Sequence, residues 1–143
     1  MQKALRERAS SPCWHLKKFS KRIGIMNWMN GGMMYEQKDI VLIPFPYSDL
    51  TGAKQRPAVI VSNDRLNKTQ DRICCLITSK QPEDGVLISD KFFEKGTLPF
   101  KSWVKPQRLF TINERIIRKR LCTVSDRLHA IILGKINEYL ERS

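Results

Sequence analysis

A small, strongly bent β-sheet or barrel carrying one C-terminal helix is the fold class that this 143-residue sequence predicts. Three observations lead there. Short β-branched or apolar runs recur along the chain, each bounded by proline, glycine, asparagine or aspartate turn chemistry. Apolar residues at helical spacing occur in one stretch, after Ser125. The length and a hydrophobic content of 41% suit one domain with a modest core.

In chain order, Ile40-Val41-Leu42-Ile43 reads as a buried strand, stopped by Pro44-Phe45-Pro46. The stretch from Tyr47 to Lys54 has turn chemistry and no apolar period, which predicts a loop. Ala58 to Val61 is a β-branched run read as a second buried strand, and Asn63 to Asp71 reads as polar connection. Arg72 to Ser79 predicts a third strand, with Cys74, Leu76 and Thr78 on one face and Ile73, Cys75 and Ile77 on the other. Val86-Leu87-Ile88 predicts a short strand after the Glu83-Asp84-Gly85 turn. Trp103 to Leu109 alternates, placing Trp103, Lys105 and Gln107 on one face, with an edge or bulge expected at Pro106, which has no N–H for a ladder. Ile116 to Val124 predicts the last strand. Ser125 is a ready N-cap, Asp126 suits the first turn, and Leu128, Ile131, Ile132, Ile136, Tyr139 and Leu140 form one helical stripe for packing on the sheet.

The formal net charge is +12 and the pI about 9.9, which favours an anionic partner. Half of that charge, +6, precedes Tyr35, and the remainder of the chain carries the other +6. Residues 1–34 are basic and nearly free of acids, as in a transit peptide or a nucleic-acid-binding tail, and lack the apolar centre of a secretory signal. The composition changes abruptly at their end, where Met33 and Met34 are alternative starts. The expectation is a poorly ordered extension or an over-extended gene start, followed by one domain over residues 35–143. Cys13, Cys74, Cys75 and Cys122 form no C-x-x-C pair, and with His15 and His129 as the only histidines a zinc site is not expected. A reducing, cytoplasmic setting and no membrane span follow from the same reading.

The chain has no P-loop, no G-x-G-x-x-G, no H-E-x-x-H and no G-x-S-x-G, which excludes several common hydrolytic chemistries. Attention falls instead on Arg56, at the mouth of a buried strand, where Pro57 holds the backbone extended. A planar fork of donors in that position suits a phosphate. Taken alone, Arg56 reads more readily as a solvated strand-end charge, and His129 within the C-terminal helix reads as a surface or packing residue.

The succession Lys38-Asp39-Ile40-Val41-Leu42-Ile43-Pro44-Phe45, a polar loop with Gly52, and then Arg56-Pro57-Ala58-Val59-Ile60-Val61-Ser62 resembles the MazF/PemK family of toxin endoribonucleases. Ile77-Thr78-Ser79 and the stretch from Ser102 to Phe110 are similar to that family's later strands, and the similarity runs over residues 35–140. It implies an SH3-like small β-barrel of the CcdB/MazF plasmid-maintenance-toxin type with a C-terminal helix. It also implies a homodimer that cuts single-stranded RNA without a metal or other cofactor, and an antitoxin partner with an acidic segment. Carried over residue by residue, it places Arg56 and Thr78 at the scissile phosphate as catalytic residues, with Ser79 as a second hydroxyl. Ser48, Asp49 and Gln55 are candidates for orienting substrate from the loop, and Trp103 and Lys105 for base stacking and phosphate contact. The loop Asp49-Leu50-Thr51-Gly52-Ala53-Lys54-Gln55 departs from the Gly-Ser-Glu-Gln loop of many relatives, so cut-site preference does not carry over.

Two other functions compete. A non-catalytic module that binds nucleic acid or antitoxin would be expected to lose Arg56 or Thr78, and both are present. A CcdB-like gyrase poison uses an aromatic C-terminal end, whereas this sequence has no tryptophan after Trp103.

Overall fold

The computed structural model describes residues 34–45 and 54–143. Seven strands form one antiparallel sheet, β1 (Asp39–Phe45), β2 (Lys54–Ile60), β3 (Asp71–Thr78), β4 (Val86–Ile88), β5 (Phe93–Lys95), β6 (Ser102–Asn113) and β7 (Lys119–Val124). A one-turn helix α1 (Asp64–Asn67) links β2 to β3, and α2 (Asp126–Leu140) ends the chain. The strand order β4-β6-β3-β2-β1-β7-β5 coils into a nearly closed barrel, the barrel-with-helix architecture expected from the sequence. Both edges, β4 and β5, are only three residues long, which limits the unpaired backbone they expose.

The alternation along the strands separates two apolar clusters. One contains Ile40, Leu42, Val59, Cys75, Ile77, Val104 and Val124 together with Leu128, Ile132 and Ile136 of α2. The other, on the opposite face of the sheet, holds Val41, Ile43, Ala58, Ile60 and Cys74, covered by Tyr35, Phe110 and Ile112. β1, β2 and β3 are therefore buried on both faces, which is why they read as continuous apolar runs. Burial raises the Cys74 and Cys75 thiols to about 12, and raises Cys122 as well, so these side chains act as small core hydrophobes.

Two charged residues are built into this frame. Arg72 is fully buried and donates to the carbonyls of Tyr35 (2.9 Å), Thr69 (2.7 Å) and Asp71 (2.8 Å), with Glu114 at 3.4 Å. Asp39 accepts from the Glu36 backbone N–H (2.8 Å), Arg120 Nε (2.9 Å) and Thr123 Oγ1 (2.9 Å). Burial nonetheless holds its carboxyl above the ordinary value of 3.8, against the opposing pull of those partners. Lys38 adopts a positive φ of 80°, with its N–H on the Ile60 carbonyl and its carbonyl accepting from Val124, while its ammonium meets Asp126 at 2.8 Å.

Several local expectations change. β2 begins at Lys54 rather than Ala58, because Lys54 to Pro57 pair with Phe45 to Leu42. The connection after Asn63 holds α1, capped by the Asn63 side chain on Arg65 N–H. The last strand starts at Lys119, since Glu114–Ile116 form a 3₁₀ turn. β5 has no clear apolar pattern and was not foreseen; it exists by pairing with β7. The bulge expected at Pro106 is present: Leu76 pairs with Lys105 but Cys75 with Leu109, so Pro106, Gln107 and Arg108 are extra on β6.

Helix α2 starts where the sequence places it, with Ser125 Oγ accepting from Leu128 N–H. Its buried side is narrower than the expected stripe and consists of Leu128, His129, Ile132 and Ile136. Ile131, Tyr139 and Leu140 are exposed, the last at 70%. His129 lies against the Val61 carbonyl at 3.4 Å, a packing position. None of the described helices is long and apolar enough to cross a membrane. This packing sets a contrast between neighbours. Ile132→Ala is expected to lose about 2–5 kcal/mol of stability, and Ile131→Ala under about 1 kcal/mol, as measured by urea unfolding; equal losses would contradict the packing of α2.

Candidate functional site

The face of the sheet away from α2 carries the site. β2 and β3 pair from Ile60 with Cys74 to Ala58 with Leu76; Arg56 and Thr78 lie beyond the last pair, each two residues from a member of it and so on the same face of the sheet. Thr78 in turn pairs with Trp103 on β6, and Trp103 with Leu87 on β4. On the other side Arg56 pairs with Ile43 of β1. Two short rows therefore stand at this end of the sheet, Ile43 with Arg56, and Thr78 with Trp103 and Leu87. The next row inward is Ala58, Leu76 and Lys105. Since paired residues share a face, Arg56, Thr78, Trp103 and Lys105 come together from positions up to 49 residues apart in sequence.

Each side chain is held by what lies beneath it. Pro57 is buried and Ala58 fully so, which anchors the base of Arg56 while its own side chain stays half-buried. Thr78 closes β3, and its Oγ1 accepts the Lys80 backbone N–H at 3.2 Å. That contact orients the hydroxyl at the strand end and leaves its proton available as a donor. Trp103 is half-buried and belongs to neither apolar cluster, with Lys101 Nζ 5.8 Å from its ring centroid. Lys105 is half-buried, its backbone held by pairing with Leu76 of β3. Its pKa lies below the ordinary 10.5; burial is the largest cause, followed by the positive charges of Arg108 and Arg56. The last two influences show that the three cations share one field.

Arg108 is the residue that sequence reasoning passed over. It sits in the bulge, exposed, and bears on Lys105 directly. A signal was available, because a bulge expected at Pro106 re-aims the charges that follow it. Gln55 is not brought to this cluster: it alternates to the other face of β2, half-buried, and its Oε1 is buried with no hydrogen-bond partner among the described residues. Ser79 follows Thr78 just beyond β3, half-buried, on the alternate side of the chain. Ser48 and Asp49 lie outside the described residues. Among the described residues no group of three or more histidines, cysteines or carboxylates is placed to hold a metal ion.

What this arrangement can do is grip and neutralise a phosphodiester. A guanidinium fork, a hydroxyl, an ammonium and a second arginine occupy one face of the sheet beside an aromatic ring, the groups that grip phosphate and stack on bases.

Comparisons with known proteins agree with the architecture. The fold is similar to that of MazF from Deinococcus radiodurans, with a TM-score of 0.61 at 19% identity, covering 76% of this chain and 97% of that one. It is similar to a mycobacterial endoribonuclease in complex with its cognate antitoxin, with a TM-score of 0.58 at 19% identity over 74% and 94% of the two chains. The Mycobacterium tuberculosis toxin MazF-mt6 superposes with a TM-score of 0.59 at 13% identity over 73% and 98%. A search of curated protein sequences found no match. The profile of the PemK-like, MazF-like toxins of type II toxin–antitoxin systems matches residues 36–140, so barrel, helix, Arg56 and Thr78 all fall within it, and the chain belongs to that toxin family.

Proposed function

We propose that this toxin is a sequence-specific endoribonuclease that cuts single-stranded RNA without a metal ion and so inhibits translation in the cytoplasm. The observation that supports the reading is that Arg56 and Thr78 share one face of the paired β2 and β3, with the charges of Arg56 and Arg108 both bearing on Lys105. RNA supplies its own nucleophile, the 2′-OH, so the protein has to align the in-line attack and stabilise the charge that builds on phosphorus. Arg56 does the second, because a preorganised guanidinium in a partly dry site acts where charge develops in the transition state. Thr78 donates its hydroxyl proton to a non-bridging oxygen. Trp103 offers a ring face to a base. The loop residues Ser48 and Asp49, and Gln55 at its end, remain candidates for reading the sequence around the cut.

Purified protein is expected to cleave single-stranded RNA in the presence of EDTA, leaving a 2′,3′-cyclic phosphate and a 5′-hydroxyl. Arg56→Ala should lower kcat by about 100-fold or more, while Thr78→Val should lower it less. Mass spectrometry of the product ends and single-turnover kinetics check this. Cleavage that needs added Mg²⁺ would refute the metal-free mechanism. RNA binding without any cleavage would favour the non-catalytic reading.

We further propose that residues 35–143 form the toxin domain and assemble as a homodimer, with residues 1–34 as an extension. Support comes from the inward anchoring of the domain's first residues: Arg72 grips the Tyr35 carbonyl and Arg120 the Met34 carbonyl (3.0 Å). Protein lacking Met1 to Met33 is expected to keep its melting temperature, its dimeric mass by light scattering and its RNA cleavage. A large loss of any of the three would make the extension part of the working domain.

The partner we propose is an antitoxin whose acidic segment lies across the Arg56 and Lys105 face. A groove with the field for a polyanion attracts carboxylates equally. Catalytically silent Arg56→Ala protein should therefore bind RNA or antitoxin but not both, and should associate with antitoxin faster at low salt. Simultaneous binding at undiminished RNA affinity would place inhibition elsewhere.

A further inference from the structure

Two apolar side chains on the site's face take no part in either core. Trp103 is half-buried and Leu87 is 39% exposed, and neither belongs to the two apolar clusters. They are direct partners across β6 and β4, while Val86 and Ile88 on either side of Leu87 turn inward and are buried. Trp103 also pairs with Thr78 on β3. Thr78, Trp103 and Leu87 therefore form a row over three adjacent strands, from the hydroxyl of the site to the edge of the sheet.

Resting on the ribonuclease reading, we propose that Trp103 and Leu87 form a subsite for one nucleobase, that of a nucleotide flanking the scissile phosphate, with a preference for purines. Neighbouring strands lie about 4.8 Å apart, so the row carries the subsite about 5 to 10 Å sideways from Thr78. That is short enough for the base of the adjoining nucleotide. Substrate then crosses the strands, its cut phosphate by Thr78 and the flanking base over β6 and β4.

The occupant follows from charge and size. Lys101 Nζ lies 5.8 Å from the Trp103 ring centroid. Lys105 is two residues along on the same side of β6, and the two charges that bear on it are both positive. A flat ring tethered to an anion is the complement of an apolar pair set among cations. Two side chains suit one such ring, whereas a protein partner covers about 800 Å². β4 is three residues long and ends the sheet on this side, so a base can enter the pair from the open edge. Every base has a π-face, so stacking admits all four, and the larger rings of adenine and guanine stack more strongly.

The experiment uses the full chain, after its cut site has been mapped on a long RNA and placed in a short oligonucleotide. A 2′-O-methyl group at the cut lets binding be read without cleavage. Replacing the flanking bases one at a time by abasic residues should weaken binding about 10-fold at one of the two positions. 2-Aminopurine at that position should lose fluorescence on binding, as a base stacked on an indole does. Trp103→Ala should weaken binding of the intact oligonucleotide by the same factor and abolish both the quench and the abasic penalty. Trp103→Phe should keep most of each, and Leu87→Ala should lose about threefold. On cleavable RNA the wild type should cut faster with a purine than with a pyrimidine at that position, and Trp103→Ala should cut both alike.

The base walk on the wild type decides the matter whether or not the variants fold. A quench at neither flanking position, or losses from Trp103→Ala and the abasic residue that add instead of overlapping, would overturn the subsite. Undiminished RNA binding by Trp103→Ala would overturn it too. A changed mass by light scattering would then assign the patch to a second copy of the chain, and loss of antitoxin binding would assign it to the antitoxin. A wild-type protein that cuts no RNA would overturn the ribonuclease reading and the subsite with it, whereas cleavage indifferent to both flanking bases would overturn the subsite alone.

Discussion

The pairing of β2 with β3, in which Ala58 meets Leu76 and Val59 meets Cys75, is the constraint from which the rest of the molecule follows. Both strands are buried on both faces, one against α2 and the other beneath Tyr35, Phe110 and Ile112, so a slip of one residue would mispack two different apolar sets at once. Register is thereby over-determined in the interior. The side chains at the strand ends are placed by that register. Arg56 and Thr78 share a face because Ala58 meets Leu76, two residues deeper in each strand.

The polar groups of the interior serve the same frame. Asp39 ties β1 to β7 through Arg120 and Thr123, and Arg72 closes the far end of β3 onto the carbonyls of Tyr35 and Thr69. Ser62 and Asn67 bond each other, and Ser62 Oγ accepts the Ile73 N–H at 3.1 Å, joining the end of β2 to the start of β3. Removing any one of these would leave a buried donor or acceptor without its partner, a larger penalty than the net worth of the bond. Asp39 and Ser62 both lie in the stretch whose resemblance to a toxin family is clearest, and both are architectural.

That explains how legible the sequence was. The double burial of Ile40–Ile43, Ala58–Val61 and Arg72–Thr78 writes itself as β-branched runs, and the Ser125 cap marks α2 to the residue. β5 and the start of β2 did not show, because Phe93–Lys95 and Lys54–Arg56 owe their extended form to neighbours distant in sequence. The width of the α2 stripe was overstated for a related reason. Periodicity says which residues share a side of a helix but not how far the sheet beneath reaches, and it ends before Tyr139 and Leu140. At the site, Arg56 and Thr78 were legible as motif residues, whereas Arg108 depended on a bulge whose length no local pattern encodes. Gln55 was placed beside Arg56 by sequence adjacency, which in a strand means the opposite face.

The three extra residues of β6 have an evolutionary consequence. Pro106, Gln107 and Arg108 are bracketed by ladder pairs on both sides, Lys105 with Leu76 and Leu109 with Cys75. A residue gained or lost within that span would be absorbed there, since neither flanking pair needs to move. The barrel would keep its core while the cationic rim changed its reach. Descendants of this chain thus have, among the described strands, a place where insertion and deletion are tolerated beside Lys105 without disturbing the ladder.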